Sequence, residues 1–187
     1  MPCKNNSNNC CRRVAIRADR IFNGARRERT ITRTLALGNF NPPNPAPPLT
    51  YVNGGFTGEA TVTAVAVTPV AGSTKNRLTV DYSIPVTINY TDAGGNFGRA
   101  SAVLDDTVDL LLTIPTCPYR VEVETVFASR IGTIDGNTAV ITGCLLTIVR
   151  IIVKCDLIVS GVCGVTYPLA TLTEESACAG LFERLNN

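Results

Sequence analysis

The sequence predicts an all-β protein, an antiparallel β-sandwich, jelly-roll-like in one arrangement, with an extended N-terminal arm and a short C-terminal helix. Three observations predict it. Arg77–Tyr90 alternates without a break, with Leu78, Val80, Tyr82, Ile84, Val86, Ile88 and Tyr90 on one parity and polar residues on the other, the signature of a half-buried strand. Val, Ile and Thr dominate the apolar runs, which favours sheet over helix. Gly, Pro and Asn clusters separate those runs, as turn residues do.

Taken in order, residues 1–12 form a polar arm and residues 13–187 a β-rich body, divisible into 13–115 and 116–187. Val14–Phe22 has strand composition and ends at an expected turn, Asn23-Gly24. Thr30–Leu37 is a second expected strand. Asn41–Pro48 holds five prolines and reads as a stiff spacer or a surface loop. The main body is expected to begin near Glu59, with a strand at Ala60–Val67. Pro85, lacking an N–H, marks a sheet edge or a bulge in the long strand. Arg99–Leu104 and Val108–Ile114 continue the sheet after a turn at Asp92–Asn96. Tyr119–Phe127 alternates, Asp135-Gly136-Asn137 is a hairpin turn, and Thr138–Lys154, apolar on both parities, is a buried or interfacial strand. Cys155–Cys163 is expected to continue past a bend. Thr171 and Glu174 have capping-box spacing, which starts a helix over Glu174–Leu185. The blocks 59–91 and 121–154 share one order: short strand, turn, longer strand.

Charge is distributed unevenly. Residues 1–34 carry nine Lys or Arg and two acids, a net of +7, so the remainder carries −5. Arg12, Arg13, Arg17 and Arg20 lead this basic segment, which would bind nucleic acid or the acidic body of a neighbouring copy. It has none of the aromatic platforms of single-strand binders, and the expectation is no nucleic acid. The apolar run 138–159 contains Arg150, Lys154 and Asp156, which suits a strand better than a bilayer-spanning helix, so no membrane is expected. The segment after Met1 is polar rather than apolar, so synthesis without a signal peptide is expected.

Catalytic arrangements are sparse. The chain has no histidine, which removes the usual general base and the Ser-His-Asp and Cys-His arrangements. Asp105, Asp106 and Asp109 form an acidic cluster without EF-hand spacing, read as solvated acids beside a turn. Glu122 and Glu124, on an outward parity, read as surface charges rather than a glycosidase pair. No enzyme activity, metal or cofactor is expected.

The eight cysteines are the most distinctive feature. No Cys-x-x-Cys spacing occurs, which weakens a zinc reading. Cys144, with Cys155, reads in part as a buried free thiol. Cys10 and Cys11 are adjacent in an extended arm, where neighbouring side chains diverge, so they suit bonding to two separate partners. Cys3 lies further out. Cys117, Cys163, Cys155 and Cys178 are the candidate acceptors on a second subunit.

Cys10-Cys11-Arg12-Arg13 followed by Ile16–Phe22 resembles the N-terminus of clostridial-type cysteine-rich spore coat and exosporium proteins. Ala64–Val70 and Leu78–Tyr90 are similar to the β units of that group and of the SPOCS domain. The resemblance covers about residues 10–115. The family pattern, unlike this chain, has further cysteines after the Ala-Asp-Arg element. The arm also resembles the connector of endospore appendage subunits, on Cys10, Cys11 and Cys3 alone. The resemblance implies a structural, self-assembling subunit of a spore-surface layer or fibre, disulfide cross-linked through the arm, with copies of itself and other spore-surface proteins as partners. The alternative is a carbohydrate- or nucleic-acid-binding module with a basic arm.

Overall fold

The computed structural model describes residues Val14–Val159. The expected arm, the helix Glu174–Leu185 and residues Cys3, Cys10, Cys11, Arg12, Arg13, Cys163 and Cys178 lie outside the described residues.

Eight strands follow one another: β1 (Val14–Ala36), β2 (Gly38–Asn41), β3 (Thr50–Glu59), β4 (Thr61–Pro69), β5 (Asn76–Thr91), β6 (Phe97–Leu112), β7 (Tyr119–Asp135) and β8 (Thr138–Val159). They form one sheet in the order β1-β8-β7-β3-β5-β6-β2, with β4 also paired to β5. All of its pairings are antiparallel. The sheet folds over on itself at β3, so that β1, β8 and β7 lie across the core from β5 and β6 in a sandwich-like arrangement.

The inward parity of β5 is the centre of that core. Leu78, Val80, Ile84, Ile88 and Tyr90 have no exposed surface, and Tyr82 and Val86 almost none. Each such side chain contributes roughly 1.5–3 kcal/mol relative to exposure. Leu104 and Val108 of β6, Val123 and Phe127 of β7, and Ile141, Leu145, Val149 and Ile151 of β8 complete the core.

β3 makes the fold-over possible. Its first half pairs with β5 and its second with β7, and Gly54 and Gly55 belong to both ladders. A Cβ on Gly54 would stand 2.7 Å from Ile88 Cδ1 and 3.0 Å from the Tyr51 hydroxyl, so glycine lets these side chains lie against the backbone without shifting. After Ala60, whose N–H donates to the Val123 carbonyl at 2.8 Å, the chain returns to β5 as β4. In the interval no residue of β3 or β4 is in register with Val86, Pro85 or Ile84. Pro85 thus occupies a local edge of β5, as its missing N–H requires.

Several sequence expectations are corrected. Asn23-Gly24 is not a turn: β1 runs through it with a register shift between Ile21 and Asn23. The Asn23 side chain accepts from Gly24 N–H at 2.9 Å and donates to the Thr113 carbonyl at 3.2 Å. A continuous partner in β8 converts local turn preference into a bulge. β6 is one strand through Asp105-Asp106, not two. β8 continues to Val159 as one strand. β2 and β3 have no counterpart in the sequence reading. Of the expected segment Asn41–Pro48, Asn41 ends β2 and residues 42–48 form a surface loop, the Ala46 carbonyl accepting from Ala93 N–H at 2.9 Å in the β5–β6 turn. The blocks sharing one order are both antiparallel hairpins, β4–β5 and β7–β8.

Candidate functional site

Two places stand out: a buried ionic network between the sheet halves, and an open strand edge.

The network centres on Asp106. Alternation along β6 turns this residue inward, and its side chain is only 2 % exposed. A buried carboxylate requires charged and hydrogen-bonding partners, and these come from two other strands, with a third joined through Tyr82. Arg33 of β1 reaches Oδ1 at 2.9 Å. Arg29 of β1 pairs with Oδ2 and also donates to the Thr107 carbonyl at 3.1 Å. The Tyr82 hydroxyl of β5 donates to Oδ2 at 2.8 Å and lies 2.8 Å from Thr147 Oγ1 of β8. Burial, opposed by the Thr147 hydrogen bond and reinforced by the Asp106 carboxylate, pushes the Tyr82 phenol up to about 12. Reading Asp105, Asp106 and Asp109 as one solvated cluster is therefore corrected for Asp106. Asp105 and Asp109 are exposed, Asp109 accepting from Thr79 Oγ1 at 2.5 Å.

This network closes a seam. β1 and β6 face each other with no ladder between them, and the contacts described above come from side chains. The basic segment accordingly spends Arg29 and Arg33 on its own chain's Asp106. Arg17, Arg20, Arg26 and Arg27 remain exposed on β1.

On the outward face of β7, Glu122 pairs with Arg120 at 2.7 Å and Glu124 with Arg150 at 2.7 Å. Arg120 also holds Asp19 of β1 at 3.0 Å. That hydrogen bond keeps the exposed Asp19 carboxyl below its usual range. No group of three His, Cys, Asp or Glu is placed to hold a metal among the described residues. Among them, too, no helix is long and apolar enough to cross a membrane.

The cysteines require a correction. Among the described residues no two cysteine sulfurs lie within 4.5 Å of each other. The expectation of disulfide bonding is corrected to this extent: no disulfide joins two of the described cysteines, and Cys117 and Cys155, two of the expected acceptors, are free. Cys117 is exposed in the β6–β7 connection, and Cys155 is half-buried in β8; both are free thiols. The Cys155 thiol donates to the Ala18 carbonyl at 3.7 Å. Cys144 is half-buried and is not one of the free thiols.

The open edge is β4. It is hydrogen-bonded to β5 on one side, and beyond Ala60 no strand lies on its other side among the described residues. Val65 is 42 % and Val67 39 % exposed. Sequence reading identified this strand but not its position at an edge, which depends on β3 leaving β5 and β4 returning to it.

No protein-family model matches the chain, and neither a curated protein nor a solved structure matches it.

Proposed function

We propose that this chain is a non-enzymatic structural subunit that assembles with copies of itself. The observation that supports this reading best is β4: an apolar strand at a sheet edge, free of charge, whose outer main-chain groups have no partner strand among the described residues. Edges of this kind join other strands unless protected. The chain's low charged fraction, 17 %, acts in the same direction, because a sparsely charged surface opposes association weakly. In this reading residues 1–12 are an arm that engages a neighbouring subunit. A setting on a spore surface rests on the resemblance of Cys10–Phe22 and Ala64–Tyr90.

Exposed Arg17, Arg20, Arg26 and Arg27 on one strand favour a second reading, a module binding an anionic polymer. The two separate experimentally. Sedimentation velocity and electron microscopy of the purified full chain should show assemblies that grow with concentration. Removing residues 1–12 should leave a folded body and abolish ordered polymers. A chain that stays monomeric at every concentration, yet is retained by nucleic acid with a steep loss on adding salt, would establish the second reading instead.

A further inference from the structure

We infer that β4 is a two-fold self-association edge, pairing antiparallel with β4 of a second copy in a register that sets Ala66 opposite the second copy's Ala66. The inference rests on the self-assembly reading and names its contact.

The open edge is delimited on both sides. A register shift falls between Val62 and Ala64, and Pro69 closes the strand. Bulges and prolines are the usual means of ending an edge, so Ala64–Thr68 is the stretch left available. Lysine, the commonest edge protection, is missing: no charged residue occurs from Ala60 to Thr74.

The occupant follows from self-complementarity. A two-fold contact requires that if residue i meets j, then j meets i. Val65 and Val67 share the inward parity, opposite Val80 and Leu78 of β5. Pairing Ala64 with the second copy's Thr68 places each Val65 opposite a Val67, burying both half-exposed valines in cross-strand apolar pairs. The other face agrees. Ala64 is in register with Asp81 and Thr68 with Arg77. Across the joint, one row reads Asp81, Ala64, then the second copy's Thr68 and Arg77, and the symmetric row repeats it. Opposite charges thus end each row about 14 Å apart by strand spacing, with only small side chains between them. The long arginine shortens that gap toward the ~8–10 Å screening length. Shifting the register by two residues leaves one valine pair in place of two and loses the matched charges. A foreign strand would need neither match.

The test uses the full chain and two double variants. Val65→Lys with Val67→Lys places like charges opposite each other in this register. Val65→Lys with Val67→Glu places opposite charges there. Both side chains are already exposed, and circular dichroism checks that each variant is folded. Sedimentation velocity should show loss of the two-fold association in the first variant and its recovery in the second. If the parent associates and the Lys–Lys variant associates equally well, the β4 contact is overturned while the self-assembly reading stands. If both folded variants dissociate, the proposed register is overturned. A parent that is monomeric throughout overturns both the contact and the self-assembly reading.

Discussion

The Tyr82 hydroxyl donates to Asp106 Oδ2 at 2.8 Å and stands 2.8 Å from Thr147 Oγ1, so one phenol ties β5, β6 and β8 together. Arg29 and Arg33 add β1 through the same carboxylate. Three strands therefore meet at a single buried charge, β8 is joined to it through Tyr82, and the seam between β1 and β6 depends on it.

Asp106→Asn should destabilise the body by about 3 kcal/mol, because removing one partner of a buried pair leaves the other charges uncompensated. Urea denaturation followed by circular dichroism measures this. Replacing Asp106, Arg29 and Arg33 together with apolar residues should cost less than Asp106→Asn alone. Equal losses would mean that the arginines are satisfied by solvent.

Tyr82 predicts an alkaline limit. Its folded pKa is about 12 against an ordinary 10.0. The unfolded chain therefore releases this proton first as pH rises, and the folded state binds more protons between the two values. The stabilisation is complete below pH 10.0 and declines as pH rises toward about 12. Tyr82→Phe should flatten that decline in a stability–pH profile. At neutral pH it should cost roughly 1 kcal/mol for the lost hydrogen bonds.

Gly143→Ala should destabilise by about 1–3 kcal/mol through overpacking. A Cβ there would stand 2.6 Å from the Ala128 carbonyl oxygen and 2.8 Å from the Phe127 ring. Gly38→Ala is the control, since nothing lies within 4 Å of its Cβ position. Thermal melts of both variants, measured together, separate steric conflict from the general effect of replacing glycine.

Cys117 should react with a maleimide well before Cys155. Cys117 is exposed, whereas Cys155 is half-buried and bonded to the Ala18 carbonyl. Peptide mapping after brief labelling reads the order directly, and faster modification at Cys155 would mean that the β1–β8 ladder opens there.

Much of the fold was legible where alternation is strong. β5 was readable to within a residue, and Tyr82 and Tyr90 were correctly placed in its buried stripe. β6 was split in two because Asp105-Asp106 resembles a turn when read locally, although Asp106 simply continues the inward parity between Leu104 and Val108. β3 was missed because its glycines carry no side chains to alternate. The Asp106 network was missed because its partners lie 77 and 73 residues away in β1, and no local pattern links them.

By itself the sequence determined the strand class, the inward parity of β5 and the interruption at Pro85, because side-chain alternation and a missing N–H are local properties of the chain. Only the tertiary structure decided which strands are neighbours. It alone turned Asn23-Gly24 into a bulge, assigned Arg29 and Arg33 to Asp106 and left β4 at an edge. Each of these outcomes depends on which distant strand supplies the hydrogen bonds and the opposing charge. Strand pairing is settled by the burial of whole faces and the satisfaction of polar groups across the sandwich, and neither quantity exists until the sheet has folded over at Gly54 and Gly55.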